Sequence, residues 1–220
     1  MIIIMLGAPA TGKGTVAGML SSKLGIPHLS SGDLFRKEIS EGTEIGQKLN
    51  SYMTKGELVP DGLVLEMISK RLADPELEDG VILDGFPRTE VQAEELDDML
   101  KAENKKIDLV VNLETPEDEI LERVVNRRIC RNSACKAVYN TVLNPSIVEG
   151  VCDKCGSETY QRDDDKIEKA KNRLEIYYKE TAPLTAYYEK TGALYSTVLS
   201  QRVNRMAPEV VTDVMEHLGK

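Results

Sequence analysis

The segment Gly7-Ala8-Pro9-Ala10-Thr11-Gly12-Lys13-Gly14-Thr15 most constrains what this chain can become. It follows an apolar run, Ile2-Ile3-Ile4-Met5-Leu6, and leads into Val16-Ala17-Gly18-Met19-Leu20, which reads as a helix. The order is strand, glycine loop, helix. Glycines let the backbone turn tightly and present its N–H groups. The helix N-terminus adds the positive end of a dipole, so such a loop can cradle phosphates. Lys13 would then reach the β/γ-phosphates, with Thr15 a candidate for helping to hold magnesium.

The strict phosphate-loop pattern places Ser or Thr directly after the lysine, whereas Gly14 intervenes here. The form G-x-P-x-x-G-K-G-T resembles the loop of nucleoside monophosphate kinases. A plain glycine turn with a surface lysine is the alternative, and the strand-to-helix context opposes it.

At 220 residues the chain fits one α/β domain with insertions. A chain of this size buries roughly 70% of its unfolded surface, so no staple is obligatory. The net charge of -9 argues against non-specific nucleic-acid binding, which needs a basic footprint. Any cationic surface must be local. The N-terminal apolar run is too short for a signal peptide and lacks a basic flank, and no apolar stretch approaches a membrane span. The expectation is a cytoplasmic protein that engages no membrane. All four cysteines fall between 130 and 155, a clustering that points to metal rather than disulfides.

Further along, 25–30 reads as a short strand ending in Ser31-Gly32-Asp33, with Asp33 capping a helix from Leu34. Residues 34–74 read as short helices broken at Gly42, Gly46, Gly56 and Pro60, which suits a small mobile lobe. Val81-Ile82-Leu83 reads as a buried parallel strand ended by Asp84-Gly85. An acidic amphipathic helix over 89–101, a strand within 108–113 and a helix over 117–128 follow. Residues 129–161 carry the cysteines and turn signals and read as a β-rich insertion. Asp163-Asp164-Asp165 is expected to start a long helix running to about Ala182, before a strand near 194–199 and a helix from Pro208. Alternating strands and helices imply a parallel sheet, with ligand at the carboxyl ends of its strands.

Asp84-Gly85-Phe86-Pro87-Arg88 ends a strand, as the glycine loop does. An Asp there can orient magnesium through water, and Arg88 offers a planar fork for phosphate. Together, D-G-F-P-R, G-x-P-x-x-G-K-G-T and S-G-D resemble the adenylate kinase family over nearly the whole chain. The resemblance implies a P-loop kinase core, an α/β fold whose parallel sheet is flanked by helices, with a small helical AMP-binding insertion and a β-rich zinc lid. By that resemblance Ser31, Arg36, Gly85, Phe86, Pro87, Arg88 and Gln92 match positions around AMP, and Glu57, Leu58 and Val59 a stretch near its adenine. Ser31 stands where the family commonly has Thr. On the donor side the resemblance implies ATP contacts from Ala10, Thr11, Gly12, Lys13, Gly14 and Thr15. Ala10 replaces a usual glycine and is strained if its position needs a positive φ.

Arg123 and Arg127, one turn apart if helical, share a face. The resemblance implies that both converge with Arg162 and Arg173 on the transferring phosphates, although any one alone reads as a solvated charge. Val138 and Tyr139 match the stretch near the ATP adenine. Gln201 falls at a family position whose backbone touches ATP, although the glycine usual there is absent. Cys130-x4-Cys135 and Cys152-x2-Cys155 suit a tetrahedral zinc with no open position, hence a structural one. The acidic run 163–165 reads most simply as a helix N-terminal cluster, with pairing to arginines on lid closure the lesser reading. His28 and His217 read as packing or surface residues.

The resemblance implies reversible transfer of the γ-phosphoryl group of Mg-ATP to AMP, giving two ADP, by a monomer whose partners are these nucleotides. Its expected division is a core of 1–29, 61–128 and 162–220, an AMP-binding insertion of 30–60 and a lid of 129–161. The rivals are a kinase for UMP, CMP or GMP, and a nucleotide-gated zinc-finger binding module.

Overall fold

The computed structural model describes residues 1–220. Its centre is β1 (Ile2–Gly7), every residue of which is buried. Ile3 and Met5 point into one hydrophobic core and Ile2, Ile4 and Leu6 into another. That is the period of two expected of a strand covered on both faces.

Around β1 lie β2 (His28–Ser30), β3 (Val81–Asp84), β4 (Leu109–Glu114) and β8 (Leu194–Val198). They form a five-stranded sheet in the order β2-β3-β1-β4-β8, with every pair parallel. Helices α1 (Lys13–Leu24) and α9 (Ala207–His217) close one face through Val16, Ala17, Leu20, Val210, Val211 and Val214. The other face carries α4 (Asp61–Leu72), α5 (Glu90–Ala102) and α8 (Leu184–Glu189), with Ile68, Leu96 and Tyr188 fully buried. Thr89 caps α5 by accepting from the Gln92 N–H.

Between β2 and α4 stand α2 (Ser31–Glu41) and α3 (Glu44–Met53). Two expectations fail here. The cap of α2 is Ser30, whose hydroxyl accepts from the Asp33 N–H, so the helix begins three residues before Leu34. Asp33 lies inside the first turn, where its carboxylate takes Arg36 instead. Gly46 is not a break either. It lies within α3, where a Cβ would stand 2.2 Å from the Glu38 carbonyl oxygen. The glycine is there so that α3 can pack onto the end of α2.

Helix α6 spans Glu117–Val125 and stops short of the expected end at 128. The chain leaves the helix at Asn126 and enters β5 (Arg127–Cys130). Arg127 pairs there with Asn140 of β6 (Val138–Asn140), and Cys130 with Thr159 of β7 (Thr159–Tyr160). These strands form a separate antiparallel sheet in the order β6-β5-β7. Arg123 and Arg127 therefore do not share a helix face, because strand pairing claims the second.

The acidic run also departs from expectation. Asp163–Asp165 is one 3₁₀ turn, and Lys166 is extended (φ -68°, ψ 144°), so α7 begins only at Ile167 and runs to Ile176. A π-helical turn, Tyr177–Thr181, continues it. That widened turn brings the Thr181 hydroxyl to the Arg88 carbonyl oxygen, at 2.8 Å.

The Gly46 contact yields a test. Gly46→Ala forces α3 off α2 and lowers unfolding stability by about 2 kcal/mol, the usual scale of overpacking. Urea melts read this directly, and an unchanged midpoint would contradict the contact.

Candidate functional site

Every strand of the parallel sheet delivers its following loop to the same edge. The loop after β1 holds Gly7, Ala10 and Gly12 at φ 137°, 61° and 99°. Ala10 does occupy the left-handed region, where an L-residue is strained. Lys13 opens α1, and its ammonium donates to the Gly7 and Ala8 carbonyl oxygens, each at 2.7 Å. Burial lowers its pKa to about 8 against the opposing pull of Asp84.

The loop after β3 is held tightly. Gly85 has φ 76°, and a Cβ there would lie 2.7 Å from Ser31 Oγ and 2.9 Å from Arg88 Nη2, so only glycine fits. The Ser31 hydroxyl donates to the Gly85 carbonyl at 2.6 Å, and Arg88 Nε to the same oxygen at 2.7 Å. Gln92 accepts from the Arg88 N–H at 2.8 Å and donates to Asp61 Oδ1 at 2.7 Å. The structure thus adds Asp61 and Thr181 to the residues that set Arg88. Only the fold brings them there, since neither belongs to a motif.

One cleft connects these loops, lined by Pro9 and Lys13 from the first and Gly85, Pro87 and Arg88 from the second. Arg36, Gln92, Arg173 and the stretch Glu57-Leu58-Val59 line it too. Two residues expected around AMP do not. Phe86 is 1% exposed and packs in the core, and Ser31 is equally buried beneath Gly85. Both shape the cleft from behind.

The expected arginines gather along the same edge. Arg127, carried by β5, pairs with Asp165 (Nε to Oδ2 2.8 Å), and Arg173 of α7 with Asp164 (2.9 Å). Arg123 pairs with Glu119 at 2.5 Å and donates to the Thr11 carbonyl of the phosphate loop at 3.4 Å. Arg162 lies 3.9 Å from Asp33, and its buried Nε has no partner. Of the lesser reading of the acidic run, the pairing is present: Asp164 and Asp165 are counter-ions of Arg173 and Arg127.

The pKa shifts record the crowding. Burial takes Arg88 and Arg162 down to about 10, helped by neighbouring arginines. Arg127 moves the other way, because Asp165 overcomes its burial. Burial pushes Asp33 up, yet Arg36 and Lys136 outweigh it and hold the carboxyl at about 2. Asp84 is likewise kept low despite burial, by a hydrogen bond from His28 (3.3 Å) and by Lys13. His28, read as a packing or surface residue, is therefore a partner of the expected magnesium-orienting carboxylate; only the parallel pairing of β2 with β3 reveals this.

Above the edge, the four cysteine sulfurs lie within 4.8 Å of one another, and all are free thiols. Cys130 and Cys155 Sγ are 3.4 Å apart, Cys135 and Cys152 Sγ 3.7 Å. The edge of a tetrahedron with sulfurs ~2.3 Å from its centre is about 3.8 Å, so the set fits one zinc. The Tyr139 ring is committed to this cluster, its hydroxyl 3.4 Å from Cys152 Sγ, while Val138 is exposed. Gln201 lies on the turn after β8 and is also exposed. The cysteine-bearing insertion touches α2 through Lys136 and Asp33, at 3.2 Å.

Comparison with known proteins agrees with this geometry. The family model described as Adenylate kinase matches residues 5–193. The adenylate kinase of Archaeoglobus fulgidus is 52% identical over 195 residues, 89% of each chain. That of Caldicellulosiruptor saccharolyticus is 46% identical over 211 residues, 96% of this chain and 97% of its own. That of Desulfitobacterium hafniense is 46% identical over 217 residues, 99% of each.

Two outcomes follow from the site. If Lys13 meets phosphate as an ammonium, kcat/KM for Mg-ATP falls as pH rises through about 8. A profile flat to pH 10 would contradict the burial of its ammonium. If the four thiolates hold a metal, its removal lowers the melting temperature, since binding and local folding are coupled. Calorimetry before and after chelation, with loss of zinc verified, measures it; an unshifted transition argues against a structural metal.

Proposed function

The chain belongs to the adenylate kinase family, and we propose the roles by which its own residues carry out the reaction. That reaction is ATP:AMP phosphoryl transfer, giving two ADP. A phosphate oxygen of AMP attacks the γ-phosphorus of ATP, and the bond to the β-phosphate oxygen breaks. The nucleophile is already an anion, so no protein base is needed and catalysis is positioning with charge neutralisation.

The observation that carries the assignment is the single cleft that Lys13 shares with Arg36, Arg88 and Arg173. In our reading the loop 7–15 holds the ATP phosphates through its backbone N–H groups and Lys13. Arg36 and Arg88 hold the AMP phosphate, with Glu57, Leu58 and Val59 along its base. Arg123, Arg127, Arg162 and Arg173 meet the charge that spreads over the transferring group. The unpartnered Nε of Arg162 supports this, being a buried donor aimed at no protein acceptor. A magnesium ion, held by Thr15 and through water by Asp84, would add further neutralisation. A zinc ion on Cys130, Cys135, Cys152 and Cys155 would be structural.

We assign 30–60 to the AMP-binding insertion, 129–161 to the lid and the rest to the core. The contact of Lys136 with Asp33 supports closure of one on the other, which excludes water that would otherwise hydrolyse ATP. A monomer acting in the cytoplasm completes the proposal; no helix is long and apolar enough to cross a membrane. The two rivals, another acceptor or a binding module, are not favoured by the relatives found.

The test is ADP formation from Mg-ATP with AMP, CMP, UMP or GMP. AMP is the preferred acceptor, and Lys13→Ala or Arg88→Ala lowers kcat/KM by about 10²–10⁴ with an unchanged circular dichroism spectrum. Near-normal kinetics in both variants would refute the site.

A further inference from the structure

Glu119 is the one fully enclosed carboxylate at this edge that no motif accounts for. It lies in the first turn of α6 and is 4% exposed. Three donors converge on it. Its own backbone does not supply them. Arg123 Nη2 donates to Oε1 at 2.5 Å, and so does the Gln201 N–H at 3.0 Å. The Ser200 hydroxyl donates to Oε2 at 2.5 Å. The positive end of the α6 dipole is the fourth favourable partner, since Glu119 sits among the acidic residues of its first turn.

The elements so joined are far apart in sequence. Arg123 also reaches the carbonyl oxygens of Thr11 and Leu199, both at 3.4 Å. Leu199 packs on the phosphate loop, where its Cδ1 would lie 3.2 Å from a Cβ on Gly12. The turn 200–205 is short, closed by mutual hydrogen bonds of Ser200 and Arg205, and its Gln201 side is exposed. Apart from these bonds, nothing buried anchors Gln201.

We propose that Glu119 is a positioning residue for the donor nucleotide. It aims the Arg123 guanidinium and fixes the height of the Ser200-Gln201 backbone beside the phosphate loop. It touches no substrate and acts through those two groups. Long arginine side chains hold many rotamers, and one bidentate or crossed partner selects among them. The Gln201 N–H is tied to the same carboxylate, and its carbonyl accepts from the Asn204 N–H at 3.0 Å, so the backbone of the turn is fixed at both groups. The prediction for specificity is directional: the donor site depends on Glu119, the acceptor site does not, because Arg36, Arg88 and Gln92 lie in a separate hydrogen-bonded set. This rests on the proposed roles of Arg123 and Gln201 at ATP.

The experiment compares Glu119→Gln with Glu119→Ala in steady-state assays that vary ATP and AMP in turn, alongside thermal melts. Glutamine keeps one acceptor oxygen, for the Gln201 N–H, and its amide NH2 can donate to the Ser200 hydroxyl oxygen, but it loses the charge opposite Arg123. The expected result is a KM for Mg-ATP raised about tenfold in Glu119→Gln and further in Glu119→Ala, with KM for AMP within about twofold of the parent. If the alanine variant does not fold, the glutamine variant carries the comparison. A lowered melting temperature with both KM values unchanged, or a rise in both alike, overturns the proposal, since either describes a merely structural carboxylate. Arg123→Ala separates the two levels. If it too leaves KM for Mg-ATP and kcat unaltered, the assignment of Arg123 to the donor phosphates fails first; if it impairs them while Glu119→Gln does not, only the present inference fails.

Discussion

Like charges gathered out of water are the constraint that the rest of this structure answers. Lys13 and the arginines at 36, 88, 123, 127, 162 and 173 meet at one edge of a sheet, in a chain whose net charge is -9. Each pushes on the next, and the lowered pKa values of Lys13, Arg88, Arg162 and Arg173 register that pressure together with burial. Asp33, Asp84, Glu119, Asp164 and Asp165 offset it only in part. Five carboxylates against seven cations leave a local deficit of negative charge, which phosphate groups are suited to fill. Removing one partner of such a buried pair typically costs more than the pair itself contributes, so these aspartates hold the arginines in place as much as they neutralise them.

The fold supplies what that cluster requires. A parallel sheet delivers every post-strand loop to one side, so residues distant in sequence arrive together without long connections. The two cores on either face of β1 make the platform rigid. Other elements carry further charges: α2 bears Arg36, and β5, in a separate antiparallel sheet, bears Arg127.

Much of this was legible beforehand, for identifiable reasons. Strands buried on both faces read as continuous apolar runs, and β1, β3 and β4 stood out accordingly. The glycine loop announced itself because positive φ demands particular residues, and Ala10 was conspicuous for the same reason. What misled was local periodicity near charged positions. Arg127 looked helical because it lies four residues after Arg123, yet cross-strand pairing with Asn140 decides its conformation. The acidic run looked like a helix start because acids favour helix N-termini, whereas its carboxylates turn toward arginines brought near by the fold. Asp61, Thr181, Glu119 and the link from His28 to Asp84 stayed hidden because each is defined by a partner more than twenty residues away.

The small sheet above the edge has strands of four, three and two residues. Its apolar core is four residues, two of them cysteines. So little buried surface cannot hold such a sheet together alone. A metal bound by the four thiolates would be its main cross-link, and the order of this part of the molecule would then follow metal supply while that of the platform would not. With zinc bound there, the stability of one polypeptide would answer to two quantities, temperature and solvent for the platform and the free zinc concentration for the small sheet.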